Sequence, residues 1–141
     1  MNQTTAKTGA SAIATGSFEV KLTPQTLSDL ALPSALGRLA IEKQFHGDLE
    51  AKSCGEMLSA MGAVQGSAGY VALERVTGTL HGRKGSFVLQ HNGTMNRGER
   101  GLSIHVVPDT GTDELAGLSG TMNIIIVHGA HSYEFDYAFR E

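Results

Sequence analysis

The sequence holds a single cysteine, Cys54, which excludes an internal disulfide framework and any zinc site built on several thiolates. Such usage fits a domain that folds in a reducing compartment, and a cytoplasmic location is expected. Basic clusters are missing: 11 Lys and Arg against 14 Asp and Glu give a formal charge of −3, so nucleic acid is not an expected partner. Long apolar runs are missing as well. The longest, Ile124 to Val127, has the length of a core strand and falls far short of the roughly 18–20 residues that span a bilayer, so no membrane partner is expected. Met1 to Ser11 is small and polar, with no apolar stretch behind a basic start, and reads as a flexible tail rather than a signal peptide.

The familiar catalytic signatures are absent too. There is no Gly-x-Ser-x-Gly elbow, no Walker loop, no Rossmann glycine fingerprint and no His-Glu-x-x-His pair. No segment of helical length carries a 3.6-residue apolar stripe; Ser53 to Val64 comes nearest, but Gly55 and Gly62 weaken it, which disfavours alternating strands and helices.

What is present is a chain of 141 residues, enough for one core, with 18 glycines punctuating short apolar runs. Phe18, Val20 and Leu22 alternate with Glu19 and Lys21, and Leu39, Ile41 and Phe45 with Arg38, Glu42 and Gln44, the period of half-buried strands. Pro24 and Pro33 bracket the loop between these two runs. Leu49 to Met61 is a looser strand, and Tyr70 to Leu80 and Ser86 to Met95 flank a polar turn. Leu102 to Val107, Met122 to His128 and His131 to Arg140 complete about eight strands, the spacing of a barrel or sandwich. Gly-Thr-apolar recurs at Gly78, Gly93 and Gly120, as expected of bend points on successive strands.

A two-residue turn at Arg83-Lys84 gathers Tyr70, Ala72, Val76, Leu80, Phe87, Leu89 and Met95 on one face, which should point inward. Glu74 and His91 fall on the same face as diagonal neighbours and are the candidate catalytic residues, a carboxylate and an imidazole suited to acid and base roles. Alternatively, they satisfy each other or a buried water in a purely structural role. The last hairpin, turning at Gly129-Ala130, sets Tyr133 and Tyr137 inward, either with hydroxyls in the lumen or as core residues bonded at the barrel rim. His128 and His131 would stand opposite each other there, but two imidazoles with no carboxylate or thiolate make a weak metal site, so neither a metal nor another cofactor is expected. His46, His81 and His105 read as surface residues, and Cys54 as an inert packing residue.

The runs Gly69 to Gly82, Ser86 to Met95 and Gly111 to Met122 resemble segments of allene-oxide-cyclase-like barrels. Together, from about Ser17 to Tyr137, the chain resembles a bacterial family of uncharacterised domains in that superfamily. The resemblance implies an all-β fold, a single closed antiparallel eight-stranded barrel over residues 12–141, often assembled into homo-oligomers. In the plant cyclase relatives it implies a lumen that binds a fatty-acid epoxide.

Three functions compete. The first is binding of a small apolar or amphipathic ligand by Tyr70, Val76, Phe87, Leu89, Met95, Tyr133 and Tyr137, with Glu74 and His91 at its polar end. The second is a filled barrel that interacts through Ile125 and Val127 on its outward face. The third is an isomerase, cyclase or lyase using the Glu74 and His91 pair for proton transfer.

Overall fold

A computed structural model describes residues 11–32 and 34–140. The tail expected at the N-terminus therefore lies, apart from Ser11, outside the described residues. Eight strands, β1 (Ala12–Gln25), β2 (Leu36–Gly47), β3 (Leu49–Met61), β4 (Ala68–Leu80), β5 (Arg83–Asn96), β6 (Glu99–Val106), β7 (Leu118–Val127) and β8 (Ala130–Phe139), follow one another around a closed antiparallel barrel. Closure runs through β1 and β8, paired from Ala12 opposite Tyr137 to Phe18 opposite His131. The only helical element among the described residues is a short 3-10 turn, Asp113–Leu115. No helix of the described residues is long and apolar enough to cross a membrane.

Three hairpins share one turn. His81-Gly82, Arg97-Gly98 and His128-Gly129 each place two successive residues at positive φ, the mirror-image turn whose twist matches that of paired strands. Glycine in the second position meets that requirement without a Cβ penalty. The β4–β5 turn is thus His81-Gly82 rather than Arg83-Lys84, and Leu80 stands opposite Arg83. In the last hairpin the turn is His128-Gly129 rather than Gly129-Ala130, so Tyr133 pairs with Ile124 and Phe135 with Met122. Both corrections move the partners by an even number of residues in all, so every side chain keeps the face that its alternation assigns.

The two ends of the barrel differ. At one, Phe45, Phe87, Tyr133, Phe135 and Tyr137 fill the interior, with Leu49, Leu80, Leu115 and Leu118 sealing the base. Phe87 and Phe135 stack at 5.7 Å and Phe135 and Tyr137 at 5.4 Å. The connection before β7 closes the wall where β6 is too short to reach: the Thr112 N–H donates to the Ser86 carbonyl (2.9 Å), and the Ser86 and Val88 N–H groups donate to the hydroxyls of Thr112 and Thr110. At the other end the inward-facing Leu22, Leu102 and Ile126 remain 45%, 46% and 50% exposed, so the interior opens to solvent there.

Candidate functional site

Between the packed end and the open end lies a tier of polar side chains, one from each of four adjacent strands. Lys43 of β2, Ser53 of β3, Glu74 of β4 and His91 of β5 all point inward and are all buried. Register accounts for the grouping: Lys43 stands opposite Ser53, Gly55 opposite Glu74, Glu74 opposite Leu89 and Ala72 opposite His91. Ser53 and His91 are therefore diagonal neighbours of Glu74 on either side, within reach of a long side chain. Gly55 lets β3 approach, since a Cβ there would stand 2.0 Å from the Leu73 carbonyl and 2.6 Å from the Glu74 Cα.

Glu74 is the hub. Its Oε2 accepts from Lys43 Nζ at 2.8 Å and from His91 Nε2 at 2.6 Å, while Oε1 accepts from the Ser53 hydroxyl at 2.7 Å. Burial alone would push the carboxyl up, but the His91 hydrogen bond and the Lys43 charge outweigh it and hold Glu74 at about 2. With Glu74 ionised, His91 donates to it from Nε2, and Nδ1 is the ring nitrogen turned towards Tyr70. The Tyr70 hydroxyl lies 3.3 Å from that Nδ1. Lys43 also rests over the rings of Phe18 and Phe45, 5.1 and 5.6 Å from their centroids, a setting that lowers the cost of burying an ammonium.

Tyr70 joins this cluster to the open end. It lines a mainly apolar cleft of about 240 Å³ shared by the ends of β4, β5 and β6, with Ala68, Gly93, Met95, Arg100 and Leu102 among its walls. The Tyr70 ring covers Gly93 directly across the β4–β5 pair, where a Cβ would meet Cε1 at 2.4 Å, so glycine at this recurring Gly-Thr position sets the ring's place. Burial, with a smaller contribution from the Glu74 charge, raises the Tyr70 pKa and keeps its phenol protonated.

Of the sequence-derived candidates, the structure brings Tyr70, Glu74, His91 and Met95 to this end and tier, with Leu89 opposite Glu74. Val76, Phe87, Tyr133 and Tyr137 lie in the packed end. Both of these tyrosines bond at the rim: the Tyr133 hydroxyl donates to the His46 carbonyl and accepts from the Leu49 N–H, each at 2.9 Å, and the Tyr137 hydroxyl meets His81 Nδ1. His128 sits in a turn and His131 packs 5.1 Å from Phe18, so the two are not opposed. Cys54 does not pack inward; its strand position turns it to the exposed outer face. Ile125 and Val127 are exposed as expected, as are Leu58, Val71 and Leu73 on the outer face of β3 and β4. Sequence reasoning missed Lys43 and Ser53. Lys43 alternates in step with Leu39, Ile41 and Phe45, and that parity alone would have placed it inside.

Comparison with known proteins gives the lineage. No curated protein matches. Residues 14–137 match the family described as protein of unknown function (DUF3224). The crystal structure of a DUF3224 protein with unknown function from Shewanella oneidensis is 53% identical, superposes with a TM-score of 0.87, and aligns over 94% of this chain and 99% of its own. A match across the whole barrel, from the strand that closes it to the last tyrosine of the packed end, leaves no ambiguity of descent: the chain belongs to the DUF3224 family.

Proposed function

We propose that the barrel binds a small apolar or amphipathic molecule in its open end, against Tyr70 and Met95, with the Glu74 cluster as the polar base of the site. One observation carries the reading. An apolar cleft reaches a phenol that is hydrogen-bonded through His91 to a buried, ionised carboxylate, the pairing of apolar walls with few convergent polar groups that small-molecule sites use. A likeness to allene-oxide-cyclase-like barrels belongs to the same reading, supported by the closed eight-stranded meander with a carboxylate in its lumen. So does a cytoplasmic setting, which the exposed thiol of Cys54 fits. The homo-oligomer is a further part, supported by Leu58 and Val71, exposed and paired with each other on the outer face.

Acid and base chemistry is the second reading, favoured by the continuous path Tyr70–His91–Glu74. The Tyr70 phenol would give up its proton to a developing anion, and the His91 ring, set between Tyr70 and Glu74, lies where a proton taken from solvent is returned to the phenolate. Native mass spectrometry of the purified protein, followed by denaturing extraction, tests the binding reading. Wild type is expected to retain one small molecule per chain, and Met95→Trp, which fills the cleft, to be bare. Wild type that stays bare after incubation with a cell extract, or Met95→Trp that retains the same molecule, would overturn it. The oligomer mass appears in the same spectrum, and turnover of the retained molecule would separate enzyme from binder.

A further inference from the structure

The barrel is closed unevenly. β5 and β6 pair continuously from Asn96 opposite Glu99 to Leu89 opposite Val106, whereas His105 and Thr121 are the only partners joining β6 to β7 among the described residues. Continuing that ladder towards the open end would set Leu102 against Ile124 and Arg100 against Ile126. It does not continue, and Leu102 and Ile126, whose alternation faces them inward, stand half exposed beside the gap. The opening is thus lateral as well as axial, and it adjoins the cleft walled by Tyr70, Met95, Arg100 and Leu102.

Arg100 is the one charged residue lining that cleft. Its place opposite Met95 puts it on the inward-facing row, and among the described residues no carboxylate forms an ion pair with it. Of the other cations on inward-facing rows, Lys43 is already held by Glu74, and Arg83 lies over the Phe139 ring at the packed end. An apolar cleft with an unpaired guanidinium at its lip suits a molecule with an apolar body and one anionic oxygen group, which Arg can bind with two parallel hydrogen bonds.

Resting on the binding reading above, we infer that the gap between β6 and β7 is where the ligand's head lies, and that the ligand is an anionic amphiphile whose head is held by Arg100 while its body lies against Leu102, Met95 and Tyr70. Anilinonaphthalene sulfonate and phenylnaphthylamine test this, because they share an aromatic body and differ in the sulfonate. Affinities of both are measured by fluorescence for wild type, Arg100→Gln, Leu102→Trp and, as a control for net charge, Arg97→Gln in the β5–β6 turn.

Wild type is expected to bind the sulfonate more tightly. Arg100→Gln should lose roughly fivefold for the sulfonate, the upper end of what an exposed pair delivers, with no change for the neutral probe. Leu102→Trp should weaken both probes, and Arg97→Gln neither. If the neutral probe binds but the sulfonate gains nothing, or if Arg97→Gln matches Arg100→Gln, the anionic head and its place at Arg100 are overturned while binding in the open end stands. Probes that bind Leu102→Trp as well as wild type would remove the gap as the site. If neither probe binds wild type, the binding reading falls and this inference falls with it.

Discussion

Glu74 and Lys43 form a buried ion pair, in which Lys43 has Glu74 as its counter-charge while Glu74 is held by His91 and Ser53 as well. Replacing Glu74 by glutamine leaves an ammonium in the interior without its counter-charge, and the expected cost is about 3–5 kcal/mol. Replacing both partners together, Lys43→Met with Glu74→Leu, removes the stranded charge and should recover most of that loss. The pH dependence has a definite sign. The folded carboxyl is depressed to about 2 from an ordinary 4.5, so its contribution is fully present above 4.5 and is lost as pH falls through the window down to about 2. Urea unfolding at neutral pH and at about pH 3 checks both points: the gap between wild type and Glu74→Gln should shrink by about half or more on acidification. A gap independent of pH would mean that the carboxylate is not held ionised by its neighbours. A double variant no more stable than the worse single one would mean that the bonds from Ser53 and His91 to Glu74 outweigh its pairing with Lys43.

At the scale of elements, two kinds of glycine should respond differently to alanine. Gly82 and Gly129 lie in open space, and only their positive φ resists a side chain, so each substitution should cost about 1–2 kcal/mol. Gly55 has no such backbone angle, yet its Cβ would collide with the β4 backbone beside Glu74, and alanine there should cost more than either turn variant and disturb the polar cluster. Chemical denaturation of the three variants decides between the two causes; equal losses would contradict the close approach of β3 to β4. The same turns show what the sequence could disclose. Alternation assigns Glu74 and His91 to the interior even with the turn misplaced at Arg83-Lys84, because that error moves the partners by four residues, an even number, and only an odd shift of partners would reverse the face. Turn position was less legible, since the His-Gly pair lacks the familiar Asn-Gly or Asp-Gly form. Lys43 was legible by parity and was hidden by its charge, which argues against burial until a buried carboxylate from another strand is known to meet it. That carboxylate lies 31 residues away in sequence, a separation that local pattern does not bridge. The packed end was legible as composition, with its inward tyrosines, but their rim hydrogen bonds depend on the β2–β3 and β4–β5 turns, which pattern alone does not place.

For the molecule as a whole, the consequence of the uneven closure is an uneven stability. Strands β2 to β5 carry the long ladders and the buried cluster, whereas β6 and β7 are joined through a single partner pair. Backbone groups along the gap have solvent on one side, and opening there breaks few interactions, so it should require far less free energy than global unfolding. Native-state hydrogen exchange is therefore expected to be fastest, among strand amides, at those positions of Glu99 to Ser103 that do not bond to β5 and of Asn123 to Val127 that do not bond to β8. Amides of β3 and β4 near Gly55 and Glu74 should exchange only with global unfolding. A ligand seated across the gap would slow exchange on both of its edges at once, because order imposed at the gap reaches β6 and β7 together, while a ligand bound on the outer face would leave them unchanged. Uniform protection around the ring in the ligand-free protein would show that β6 and β7 close fully in solution, and the lateral opening would then have no part in admitting anything to Tyr70.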